Sequence, residues 1–84
     1  MAEAIDCAYS VEGTGEPLVL IHGIGAARDA WRFITPHLHE HFTVVTYDLR
    51  GHGESPLPDP GFWLDDLVDD LERLRDRLGL ERMH

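Results

Sequence analysis

Lysine is absent: all seven basic side chains are arginine, set against sixteen acidic ones, and the formal net charge is −9. The arginines form no basic run, so binding to nucleic acid or to an anionic membrane surface has no electrostatic support. Cysteine is nearly absent too. Cys7 has no partner for an internal disulfide and sits in a strand-like stretch, where it reads as a small buried apolar residue; this fits a reducing compartment. No apolar run approaches the ~20 residues of a membrane span. Residues Met1 to Asp6 lack the basic end and apolar stretch of a signal peptide, so the expected location is the cytoplasm. Internal repeats, low-complexity tracts and linkers are also missing, and Ser55 to Pro60 is too short to separate domains. A chain of 84 residues is one domain at most. At this size folding buries only about 60% of the unfolded surface, which excludes a large independent enzyme.

What is present alternates strands with helices. Ile5, Cys7, Tyr9 and Val11 keep the two-residue period of a strand with one buried face, ending at Gly13-Thr14-Gly15. Pro17 opens Leu18-Val19-Leu20-Ile21, an unbroken apolar run expected of a strand covered on both faces in a parallel sheet. Ala27, Trp31, Ile34 and Leu38 form a helical stripe that Pro36 interrupts, so this helix is expected to be kinked or split, with Thr35 and Pro36 starting its last turn. Phe42 to Tyr47 is a β-branched strand. Pro56, Pro58, Pro60 and Gly61 keep the following stretch irregular. Leu64, Leu67, Val68, Leu71, Leu74 and Leu78 then mark the clearest amphipathic helix, with Gly79 as its stop. On that helix Asp65, Asp66, Asp69 and Asp70 precede Arg73, Arg75 and Arg77, which suits the helix dipole; Asp69 pairs with Arg73, and the charge run reads as a solvated face. Leu80 to His84 resembles the opening of another strand. The order implies an α/β layer structure with right-handed crossovers.

Two strand-end loops carry the informative residues, and ligands in open parallel sheets bind at the carboxyl ends of strands. Gly23-Ile24-Gly25 follows a strand and opens a helix, so its backbone turns sharply and presents N–H groups to an anion or a developing oxyanion. One candidate ligand is a dinucleotide, with Asp48 as the ribose-binding acid, but Arg28 stands where that fingerprint needs a small residue. His37, His39 and His41 alternate without a third and fourth ligand in register, so no metal site is expected. His22, Asp48 and Arg50 read as residues that tie the loops down, the last two through charge-assisted hydrogen bonds. His52 and Glu54 read as loop surface, and Trp31 as core.

The two loops together, Pro17-Leu18-Val19-Leu20-Ile21-His22-Gly23-Ile24-Gly25 with Trp31, then Tyr47-Asp48-Leu49-Arg50-Gly51-His52-Gly53-Glu54-Ser55, resemble the α/β-hydrolase superfamily. There an apolar strand ends in H-G-x-G and the next is closed by D-x-R-G-x-G-x-S. The resemblance covers nearly the whole chain and, by its compact loops, leans toward esterases and lactonases. It implies that residues 1–84 are the N-terminal part of a single α/β-hydrolase domain, with mostly parallel strands flanked by helices, ending at the start of the nucleophile strand. It also implies that the Ile24 N–H is an oxyanion-hole donor, with Gly23 and Gly25 permitting the approach of a small-molecule substrate. The family's G-x-S-x-G serine, its acid and its histidine do not occur in this sequence. Ser10 lies in a strand and Ser55 in a turn, so the expected partner is a companion polypeptide bringing all three, and the chain alone is expected to be inactive. No cofactor is expected. The same loops accompany esterase, lactonase, epoxide hydrolase, dehalogenase and haloperoxidase chemistry. A dinucleotide-binding module and a noncatalytic interaction fragment are the alternatives.

Overall fold

A computed structural model describes residues 4–58 and 63–84. The start Met1–Glu3 and, within the stretch expected to be irregular, Pro60 and Gly61 lie outside the described residues. Three strands, β1 (Tyr9–Gly13), β2 (Glu16–Ile21) and β3 (Phe42–Tyr47), form one sheet in the order β1-β3-β2. The sheet is mixed: β1 runs antiparallel to β3, with Tyr9 opposite Tyr47, and β2 runs parallel to it, with Ile21 opposite Tyr47. The β-branched pairs Thr43-Val44 and Val45-Thr46 place β3 in the centre, where residues 44–50 are all buried.

Helix α1 (Leu64–Leu78) covers the face of Val45 and Tyr47. Cys7, Val45, Tyr47, Leu49 and Leu74 make the core, with Ile5, Val19, Leu67, Leu71, Leu78 and Leu80 packed against it. Burying Val45, Tyr47 and Leu74 contributes on the order of 1.5–3 kcal/mol each. Truncating Leu74 to Ala is the single change that most directly opens this layer, at about 2–5 kcal/mol. The helix starts where the Asp66 carboxylate accepts the Trp63 N–H at 3.0 Å, and stops at Gly79.

Several expectations change. The first strand begins at Tyr9, not Ile5, and its apolar face is only partly covered: Tyr9 and Val11 are 37% and 45% exposed. β2 is half-buried instead of enclosed on both faces, because it has β3 on one side only. The helix expected over Ala27–Leu38 is two separate 3₁₀ turns, Arg28–Trp31 and Thr35–His37, neither with a buried residue. Pro36 cannot donate to an i−4 carbonyl, and the apolar stripe has too little surface to pack on to propagate an α-helix. On α1, Leu64 and Val68 stay exposed while Asp66 and Asp70 are fully buried, so half of the acidic run is interior.

The far border of β2 is occupied at one point. Val19 N–H donates to the His84 carbonyl at 2.7 Å and His84 N–H to the Pro17 carbonyl at 2.9 Å, the pattern of a parallel partner beginning opposite Leu18. The strand opening expected near the end of the chain is thus paired at His84. Among the described residues no helix is long and apolar enough to cross a membrane.

Candidate active site

Because β2 and β3 are parallel and in register at Ile21 and Tyr47, the loops leaving their carboxyl ends lie side by side. Asp48 links them. It is buried to 1% exposure and its carboxylate accepts the Arg28 N–H at 2.7 Å, Arg28 Nη1 at 2.6 Å and the Glu54 N–H at 3.0 Å. Burial pushes the Asp48 carboxyl up, but the N–H groups of Glu54 and Arg28 and the Arg28 guanidinium outweigh it and hold the group below the ordinary carboxylate range. Arg28 also reaches Ser10 Oγ at 3.2 Å and Glu54 Oε1 at 2.8 Å. With its carboxylate spent on Arg28, Asp48 has no role left as the ribose acid of a dinucleotide site, and the Arg28 that breaks the fingerprint is its ion-pair partner.

Arg50 fastens the second loop to α1. Its Nε and Nη2 each donate to Asp70 at 2.7 Å, both side chains being buried, and Asp70 also accepts the Ile5 N–H at 2.9 Å. The Asp70 carboxylate, opposed by burial, raises the Arg50 pKa. Ser55 is equally structural, donating to the Asp48 carbonyl at 2.6 Å and accepting the Ala8 N–H at 2.9 Å. The expected tying roles of Asp48 and Arg50 are therefore observed. The reading of the α1 acids as solvated missed Asp70, although Asp66, Asp70 and Leu74 recur at steps of four on one face. Arg73, expected to pair with Asp69, reaches Asp6 across to the chain's first residues.

Two histidines join the loops reciprocally. His22, buried, accepts the Leu49 N–H at Nε2 (3.0 Å), and its Nδ1 lies 2.7 Å from the Gly23 carbonyl. His52 accepts the Gly25 N–H at Nε2 (2.9 Å), and its Nδ1 lies 2.9 Å from the Arg50 carbonyl. A carbonyl only accepts and an amide N–H only donates, so these partners assign both rings the neutral form protonated at Nδ1. The ring centroids are 5.2 Å apart. His22 is the structural member expected of it, whereas His52 is a half-buried loop fastener rather than loop surface, and the exposed Glu54 is held by Arg28.

At the tip of this assembly stand Gly23, Ile24 and Gly25. Gly25 has φ 89°, a left-handed conformation that disfavours a side chain, and a Cβ at Gly23 or Gly25 would meet nothing within 4 Å. The Ile24 side chain is 65% exposed. The following amides are engaged, Gly25 with His52 and Ala26 with the Gly23 carbonyl at 3.1 Å, while among the described residues no group accepts the Ile24 N–H. This leaves a main-chain donor with no acceptor among the described residues, flanked by two glycines at which a Cβ would be unobstructed. The remaining candidates are elsewhere. His39 lies 2.9 Å from Glu12 Oε2, and the described residues hold no cluster of three metal-ligating side chains. Trp31 is half-buried beside the sheet face opposite α1.

Relatives share this architecture. The chain is 40% identical over 75 residues to a soluble epoxide hydrolase of a Corynebacterium species, covering 89% of this chain and 26% of that protein. It is 38% identical over 78 residues to a putative non-heme chloroperoxidase of a Synechocystis species, covering 92% of this chain and 28% of that protein. Among solved structures, a marine microorganism esterase superimposes with a TM-score of 0.91 at 30% identity, over 95% of this chain and 31% of that one. The chain thus spans about a quarter to a third of the length of the proteins it matches. The sequence profile described as alpha/beta hydrolase fold matches residues 16–84, and with the strand order, the paired strand-end loops and these relatives it establishes that the chain belongs to the α/β-hydrolase fold family.

Proposed function

We propose that residues 1–84 are the N-terminal part of a single α/β-hydrolase domain that hydrolyses an ester or lactone, contributing the oxyanion-hole loop while a companion segment contributes the nucleophile. The observation that carries this reading is the unengaged Ile24 N–H, presented by Gly23 and Gly25 at the carboxyl end of β2. In the reaction a companion serine, giving its proton to the companion histidine, attacks the substrate carbonyl, the C=O electron pair moves onto oxygen, and the oxyanion meets the Ile24 amide. Collapse expels the alcohol, protonated by the companion histidine, and water then repeats the sequence on the acyl-enzyme to release the acid. An esterase among the similar structures, and relatives named as an epoxide hydrolase and a chloroperoxidase, favour hydrolase chemistry in general, with the esterase favouring an acyl substrate.

A companion is supported by two surfaces. The β2 border has a partner beginning only at His84, and Trp63, Leu64 and Val68 leave an apolar end of α1 exposed at 71%, 75% and 51%. The lone buried Cys7 fits a cytoplasmic setting. The test is Ile24→Pro, which deletes the N–H, beside Ile24→Ala, which keeps it, in the chain assembled with its companion and assayed with p-nitrophenyl butyrate. The proline variant is expected to lose about 10²–10³ in kcat while still assembling. Ile24→Ala should stay near the parent rate, and the 84-residue chain alone should show no turnover. Equal rates for Ile24→Pro and the parent would remove Ile24 from the mechanism.

A further inference from the structure

The turn that presents Ile24 is exposed over residues 23–26. A Cβ at Gly23 or Gly25 would find open space, the Ile24 side chain projects outward, and Gly25 holds a left-handed φ of 89°. Its position is therefore set largely by hydrogen bonds: the Gly23 carbonyl is met by His22, and among the described residues the bond that reaches the turn directly from the neighbouring loop is the Gly25 N–H to His52 Nε2 bond of 2.9 Å. The imidazole is itself aimed, since its Nδ1 donates to the Arg50 carbonyl at 2.9 Å, and Arg50 is fixed to α1 through Asp70. A continuous path of directional contacts thus runs from the helix through Arg50 and His52 to Gly25 and the adjoining amide of Ile24. In the D-x-R-G-x-G-x-S pattern position 52 is left unspecified, so the resemblance assigns it no role.

We infer that His52 is a positioning residue: as the acceptor of the Gly25 N–H it holds the 23–25 turn so that the Ile24 amide faces the reacting carbonyl. The inference rests on the oxyanion assignment above. An exposed turn relaxes when this bond is lost, and displacements of about 1 Å at a catalytic group lower turnover by up to about 10²-fold. Substrate binding in the ground state, by contrast, does not depend on a donor that engages in the transition state.

The experiment uses the chain assembled with its companion, uniformly ¹⁵N-labelled for spectroscopy and assayed with p-nitrophenyl butyrate. Through-hydrogen-bond coupling between the Gly25 amide nitrogen and His52 Nε2 is expected in the parent. His52→Phe, which keeps a ring but no acceptor, is expected to lower kcat by about 10- to 100-fold with KM within about twofold. His52→Gln, whose Oε1 accepts from roughly where Nε2 stood, is expected to recover most of kcat, a rescue that ring packing alone would not give. Absent coupling overturns the inference, as does His52→Phe turning over at the parent rate. Should His52→Phe fail to fold, His52→Gln decides: a kcat reduced tenfold or more in a folded protein overturns it. The Ile24→Pro variant separates the two ideas. If it is crippled while His52→Phe is not, the His52 role alone fails; if it keeps the full rate, the oxyanion assignment has failed and this inference falls with it.

Discussion

Replacing Asp70 with Asn tests whether the second loop is anchored through the interior of the fold. The Arg50 and Asp70 side chains are 0% and 1% exposed, so neither charge is appreciably relieved by solvent, and two bonds of 2.7 Å join them in a forked geometry. Asparagine keeps the shape and an oxygen for the Ile5 N–H, but it removes the negative charge and turns one acceptor into a donor against the guanidinium. Depriving a buried cation of its carboxylate in this way destabilises by about 3–5 kcal/mol. Even the lower figure shifts the folding equilibrium by on the order of 10²-fold, a large part of the 5–15 kcal/mol typical of a domain. Urea unfolding of the assembled protein, followed by tryptophan fluorescence from Trp31 and Trp63, would measure it. Arg50→Met combined with Asp70→Leu should be less destabilised than Asp70→Asn alone, because the isolated charge is then gone. A loss below about 1 kcal/mol for Asp70→Asn would refute the reasoning, since it would mean that the pair is solvated or replaceable.

Gly53→Ala should destabilise by about 2 kcal/mol or more, because φ is +50° and the new Cβ would fall on the Asp48 carboxyl group; a neutral effect in chemical denaturation would contradict this. Asp48 has a folded-state pKa below its unfolded value, so its stabilisation is whole above the ordinary carboxylate range near about 4 and is lost as pH falls through the lowered value. Asp48→Asn should accordingly flatten the acid limb of the stability profile below about pH 4, measured by unfolding at a series of pH values. Cys7 is 5% exposed, and burial, reinforced by the Asp70 carboxylate, pushes its thiol from 9.0 to about 11. Its reaction with a disulfide reagent at pH 8 should be at least about 100-fold slower in the folded protein than in urea, and parity would show that the core around it opens freely.

Much of the scaffold was legible because its signals are local. Phe42–Tyr47 and Leu64–Leu78 stand where β-branching and leucine spacing placed them, and His84 pairs with Pro17 and Val19 of β2 through two backbone hydrogen bonds. The two loop motifs also pointed to residues that tie the loops down, since Asp48 and Arg50 form the charge-assisted bonds expected of them. What escaped were contacts between residues distant in sequence. Nothing near Asp70 says that its partner is Arg50, twenty positions earlier, and a carboxylate inside an acidic run looks solvated until a buried cation is brought to it. His52 reads as surface because the groups it ties, the Gly25 N–H and the Arg50 carbonyl, belong to the main chain and leave no trace in side-chain pattern. The Ala27–Leu38 stretch failed differently. Its apolar period is genuine, but Pro36 and the shortage of surface beneath it leave two single turns in place of a helix.

Strand order fixes where the loop from His22 to Gly25 ends up. With β1 and β2 on opposite flanks of β3, the loop from His22 to Gly25 springs from a rim strand of this unit. A strand laid along the free border of β2, as the proposed companion would supply, would turn β2 into an inner strand. The Ile24 amide, outlying in these 84 residues, would then sit in a crevice walled by strand ends from both directions, where water is scarcer and a single N–H exerts its greatest pull on a developing negative charge.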